Sequence, residues 1–286
     1  MEVKSPTTYV QQYDKLISRG CIIEDKDACL KKLSEINYYR LSAYFLPFKN
    51  PDDTYFMGTK FETVVRIYNF DAEIRALLFS AVEWVETYLR TRLAHYHAHK
   101  YGALGYLDSN NFNDRYNFVD FKKEIDRLIE HNKNSPFVKH HIDNYDRQFP
   151  FWVIVELFTP GMLSRFYADM KTTDRKKFSS ETFHCHYEHL KSWLVCLSDL
   201  RNRCAHYSRL YHWPFAAVPA IRSGVIYKPT RRLFDAILCL KWLMVDQELW
   251  KSRYVIALRT LVDNYADSIS LFHIGFPQKW ETILRA

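Results

Sequence analysis

Apolar side chains recur at helical spacing along almost the whole chain, and strand-like alternation is nearly absent. The clearest run covers residues 61–100, where Ile74, Leu77, Leu78, Ala81, Val82, Val85 and Leu89 form one stripe. It predicts one long helix, with Phe70-Asp71 as the candidate break and Gly102 as the stop. Ahead of it, Tyr9, Tyr13, Leu16 and Ile17 predict a short helix closed by Arg19-Gly20, and Asp25 is placed to cap a second one through Leu33. A third, over 38–45, ends at Pro47. Asn50-Pro51-Asp52-Asp53 then marks a loop with room for a small hairpin before Gly58. Downstream, the pattern predicts helices over 121–131, 136–145, 152–158, 162–170, 186–211, 231–246 and 251–267, with Pro160-Gly161 as an interruption. The predicted class is all-α.

Composition narrows the function. The 286 residues suffice for one large or two modest domains. Only seven glycines are present, and neither GxGxxG nor GxxxxGK occurs, which argues against dinucleotide-binding and P-loop enzymes. The formal charge of +7 leans towards a polyanionic partner. Six cysteines form no CxxC pair, the first residues lack a leader's apolar core, and no run of 18 apolar residues appears. The expectation is a reduced, cytoplasmic protein with no membrane segment.

The segment 193–211 carries the candidate chemistry. Read as one continuous helix, it puts Trp193, Leu197, Leu200, Cys204, Tyr207 and Tyr211 on an inward face. Ser198, Asn202, Ala205 and Arg209 then face outward, with Arg201 on one side and His206 on the other. Asn202 and His206 would stand one turn apart, close enough for the amide to orient the imidazole. A permanent cation beside a titratable ring suits a phosphodiester: guanidinium binds non-bridging oxygens, and imidazole moves the 2′-OH or 5′-oxygen proton. Neither metal nor cofactor enters that scheme. The bare Arg-x4-His spacing also occurs at Arg90/His95 and Arg92/His97, but only at Arg201 does Asn follow the arginine. Without further information a solvated basic helix face is the more ordinary reading of the pattern.

The string RNRCAH at 201–206 resembles the R-N-x-x-x-H signature of HEPN domains, which are helical ribonuclease modules. More specifically, the chain resembles the Abi family of abortive-infection proteins, of the AbiD/AbiF type. The likeness runs in order through RGCII at 19–23, INYYRLSAY at 36–44, FETV at 61–64, YNFD at 68–71 and EWVE at 83–86. It continues through LRT at 89–91, PFWV at 150–153, VELFTPG at 155–161 and RNRCAHYSRL at 201–210. One departure is Tyr211, where the family usually has Trp. The resemblance implies a HEPN-like helical bundle, taken as residues 61–286, behind an N-terminal helical extension, residues 1–60. It also implies a metal-independent endoribonuclease of a phage-defence or toxin–antitoxin system, working as a homodimer with two Arg/His pairs at one composite site. Arg201, Asn202 and His206 are then the catalytic candidates.

Other clusters are weaker. Glu83, Glu86 and Arg90 are candidate supports for the Arg/His pair, or a salt bridge between helices. Arg203, Arg209, Arg175, Lys176 and Lys177 are candidate RNA contacts, or ordinary solvated charge. His184, Cys185, His186 and His189, like His95 and His99, lack the paired four-ligand pattern of a zinc site. The rival to cleavage is a non-catalytic protein that holds a structured RNA, such as an antitoxin RNA, on the same basic strip.

Overall fold

One helix, α4 (Phe61–Tyr101), runs unbroken through 41 residues and organises the rest. Its apolar stripe, from Phe61 through Ile74 and Val85 to Leu93, is buried, and Gly102 ends it at φ 82°. Asp71 does not break it, because the side chain is absorbed by partners described below. The computed structural model describes residues 5–286, and among them helices and turns are joined only by isolated bridges, with no sheet.

Before α4 lie α1 (Tyr9–Ser18), α2 (Lys26–Glu35) and α3 (Tyr38–Ser42). Thr8 and Gln11 form a reciprocal capping box on α1, and Asp25 caps α2 as its position predicts. The α3 helix stops short of the expected Phe45, and Pro47 sits inside a following 3₁₀ turn. The hairpin expected before Gly58 is reduced to one antiparallel bridge, Lys49 to Tyr55. This segment shares its core with α4 through Leu16, Leu33, Leu41, Tyr44 and Phe45.

After α4 come α5 (Phe118–His131), α6 (Pro136–Asn144), α7 (Phe151–Ile154), α8 (Pro160–Asp169), α9 (Thr172–Phe183) and α10 (Tyr187–Ala205). Pro160 starts α8 where an interruption was expected. Proline at the first helical position has no missing bond to regret, and Thr159 caps Met162 at 3.2 Å. The chain closes with α11 (Leu233–Leu243), α12 (Gln247–Leu249), α13 (Ile256–Asn264) and α14 (Trp280–Arg285). A π-helical turn, Trp250–Val255, joins α12 to α13. Every residue of α11 is buried. The α10 helix packs against α4, α8, α9 and α11, so its inward face is fixed from several sides. All six cysteines are free thiols, five of them buried. Among the described residues, no helix is long and apolar enough to cross a membrane.

Candidate active site

The helix carrying Arg201 is shorter than expected. It ends at Ala205, with His206 as its C-cap and Tyr207 at φ 54°. Ser208 N–H bonds Arg203 O at 2.8 Å and Tyr207 N–H bonds Cys204 O at 3.2 Å, the paired closure of a Schellman turn. That turn normally uses glycine, so a tyrosine in the left-handed region carries local strain. The reversal overturns part of the continuous-helix reading. Trp193, Leu197, Leu200 and Cys204 are buried as expected, but Tyr207 is swung out and is 71% exposed. Tyr211 is buried from a separate segment.

The Arg209 side chain also leaves the expected outward face. It donates to Ala43 O and lies over the rings of Tyr44 and Trp213, at 5.9 and 5.6 Å. Burial pulls its guanidinium below the ordinary arginine value. Arg203 pairs with Asp199 at 2.9 Å and covers Trp213 and Phe215. Both cations therefore tie the chain to itself.

Arg201 is positioned differently. Its side chain is about one-third exposed, and its Nε, shielded from water, lies 3.6 Å from Glu86 Oε2 without a hydrogen bond. Glu86, on α4, is itself held by Arg90, which also donates to Val155 O at 2.5 Å. A carboxylate thus sits between two guanidinium groups, one braced against the backbone after α7 and the other directed from α10. Glu83 stays exposed and does not join them. Asn202 and His206 are exposed, and among the described residues neither makes a side-chain hydrogen bond. The expected amide-to-imidazole contact is replaced by a backbone bond, His206 N–H to Asn202 O, at 3.0 Å.

The basic string on α9 divides. Arg175 is buried, pairs with Glu188 at 3.0 Å and covers the Tyr187 ring. Lys176 and Lys177 are exposed. Lys176 lies over the Tyr187 ring at the start of α10, about 20 Å along the helix from Arg201 on a rise of 1.5 Å per residue, and Lys177 faces His95, His99 and Lys100 of α4. His186 caps α10 by accepting from Glu188 N–H, and His95 stacks on His99 at 4.0 Å. Among the described residues no three potential metal ligands converge.

Asp71 has a role that the sequence reading missed. Fully buried, it accepts from Tyr44 Oη (2.6 Å), Leu210 N–H (3.1 Å), Tyr211 N–H (2.7 Å) and the Arg75 guanidinium. Burial pushes its carboxyl above the ordinary range, against the pull of Arg75 and the other donors. Arg40 adds a bond to Tyr207 O. The visible signal was two charged residues, Asp71 and Arg75, one turn apart on an otherwise apolar stripe.

These features define a helical protein whose polar strip, Arg201, Asn202 and His206, is anchored from behind by an Arg90–Glu86 pair. Residues 31–212, well over half of the chain, match the family described as Abi-like protein. The chain belongs to that family. No curated protein and no solved structure matches it.

Proposed function

We propose that the protein is an endoribonuclease of the HEPN kind, acting in phage defence by abortive infection. The observation that carries the reading is the contrast along one helix end. Arg201 is held against the anchored Glu86, while Asn202 and His206 stand in solvent without protein partners. A merely solvated arginine needs no such bracing. In this reading Arg201 binds the non-bridging oxygens of a phosphodiester and stabilises the charge that grows there. His206 serves as the acid/base, and Asn202 orients the substrate or the ring. The ribose 2′-oxygen attacks phosphorus, the bond to the 5′-oxygen breaks, and the products end in a 2′,3′-cyclic phosphate and a 5′-hydroxyl. The protein works as a homodimer on RNA.

The test uses purified protein and labelled RNAs in EDTA. Cleavage with cyclic-phosphate ends is expected. His206→Ala should abolish it with folding and RNA binding retained, because the ring lies off the packed face. Arg201→Ala should weaken both cleavage and binding, since it removes a fixed charge. Wild-type cleavage by His206→Ala, or loss of activity on chelation alone, defeats the mechanism. RNA binding with no cleavage by any preparation supports the holding role instead.

A further inference from the structure

A cleft of about 660 Å³ lies between the loop at 222–226, the end of α11 and α14, almost wholly outside the segment that matches the family. Its size is within the range of small-ligand sites. At its wall is Lys241, 8% exposed on a helix whose one other charged residue, Asp235, lies in the first turn and is taken up by Tyr227 Oη and the Thr230 and Arg231 amides. Lys241 Nζ donates to Ile283 O at 2.6 Å, and among the described residues it makes no ion pair. An ammonium has three donors, so one carbonyl leaves it short of partners.

Burial first, and then the cations Lys251 and Arg222, hold the Lys241 ammonium below the ordinary lysine value. Arg222 lines the same cleft and bonds only a carbonyl, His184 O, at 3.0 Å. A buried, uncompensated ammonium is costly, and a hydrophobic residue of similar length would fit these mostly apolar surroundings better. The remaining lining mixes apolar and aromatic groups, Trp242, Val225, Val245 and the fully exposed Ile226, with the polar His184, Ser223, Gln247 and Thr282. Two unneutralised cations beside an aromatic wall select a small molecule that carries both a negative head and a flat, apolar body.

We propose that this cleft binds an organic anion of nucleotide size, its phosphate held by Lys241 and Arg222 and its ring laid against Trp242 and Val225. The site stands apart from Arg201 and His206 and does not depend on the activity assigned to them. Calorimetric titration of the full chain with AMP, adenosine and inorganic phosphate tests it. AMP is expected to bind, with adenosine and phosphate each about tenfold weaker or more. Lys241→Met and the exposed Arg222→Gln should each weaken AMP by about tenfold or more, as loss of a charged hydrogen bond does. Without ligand, Lys241→Met should melt at or above the wild-type temperature, because it removes an unpaired buried charge. No AMP binding at millimolar concentration, or unchanged affinity in both variants, overturns the proposal. Equal affinity for phosphate and AMP overturns the ring-binding half, and a lower melting temperature of the free Lys241→Met protein assigns the lysine to structure.

Discussion

Arg201 and Arg209 carry the same side chain eight positions apart, and their surroundings give them opposite work. Arg201 lies on a regular turn of α10, so a helical wheel places it correctly beside Asn202. Arg209 lies beyond the Tyr207 reversal, where the wheel no longer applies, and its charge fastens Ala43. Arg175 was equally illegible, because its partner Glu188 comes from the next helix. His97 shows the same limit. It falls on the buried side of α4 among Tyr101, Phe112, Phe151 and Phe166, all within 5.4 Å. Neither ring nitrogen has a well-formed hydrogen bond, and the Gly105 backbone offers only slight help. Burial lowers its pKa from 6.5 to about 4. The unfolded chain therefore takes up a proton as pH falls below 6.5, while the folded protein resists until about 4. The stability His97 contributes is complete above pH 6.5 and is lost between these values, by about 3 kcal/mol in all. Thermal melts should drop steeply from pH 7 to pH 5, and His97→Leu should flatten that drop. An equally steep drop in the variant refutes the assignment to His97.

At the scale of elements, the turn after α10 decides how the site is presented. A left-handed tyrosine at 207 is unfavourable alone, so the turn must be held from outside. Arg40 takes the Tyr207 carbonyl, and Asp71 takes the Leu210 and Tyr211 amides. All three contacts span more than 130 positions of sequence, which is why periodicity predicted the helix and not its end. The same reasoning explains α4. Its length was legible from one apolar stripe, whereas Asp71 looked like a break because its acceptor role depends on a segment far along the chain. Asp71→Asn keeps the volume but removes the charge, leaving Arg75 buried without a counter-ion. The expected cost is about 3–5 kcal/mol, as for other broken buried pairs. Hydrogen exchange at Leu210 and Tyr211 should accelerate and RNA cleavage should fall in parallel. A melting temperature within error of wild type, with those amides still protected, shows that Asp71 does not hold the turn.

For the whole molecule, the all-α class followed from pattern alone, but the number of copies needed for chemistry lies beyond any single chain's periodicity. Arg201 and His206 diverge by about 140° on an ideal helix, so one α10 presents a splayed pair. Val195, 48% exposed, shares a strip with the exposed Asn202 and His206, within about 40° on the same wheel. A second α10 crossing in antiparallel sense near residues 203–204 would set each Arg201 across from the partner copy's polar end, a self-complementary contact of the two-fold kind. A dimer by light scattering at micromolar concentration is the first expectation. The sharper one uses two dead proteins, Arg201→Ala and His206→Ala, unfolded together and refolded as a mixture. About half of the dimers are then mixed, and each mixed dimer holds one complete Arg201/His206 combination across its interface. Activity should return to about a quarter of the wild-type value, on the statistics of random two-fold pairing. If each chain instead completes its own site, every chain in the mixture lacks one member of the pair and cleavage stays at the level of the separate variants. Recovery without dimers, or dimers without recovery, removes the composite site and leaves α10 to act within one chain.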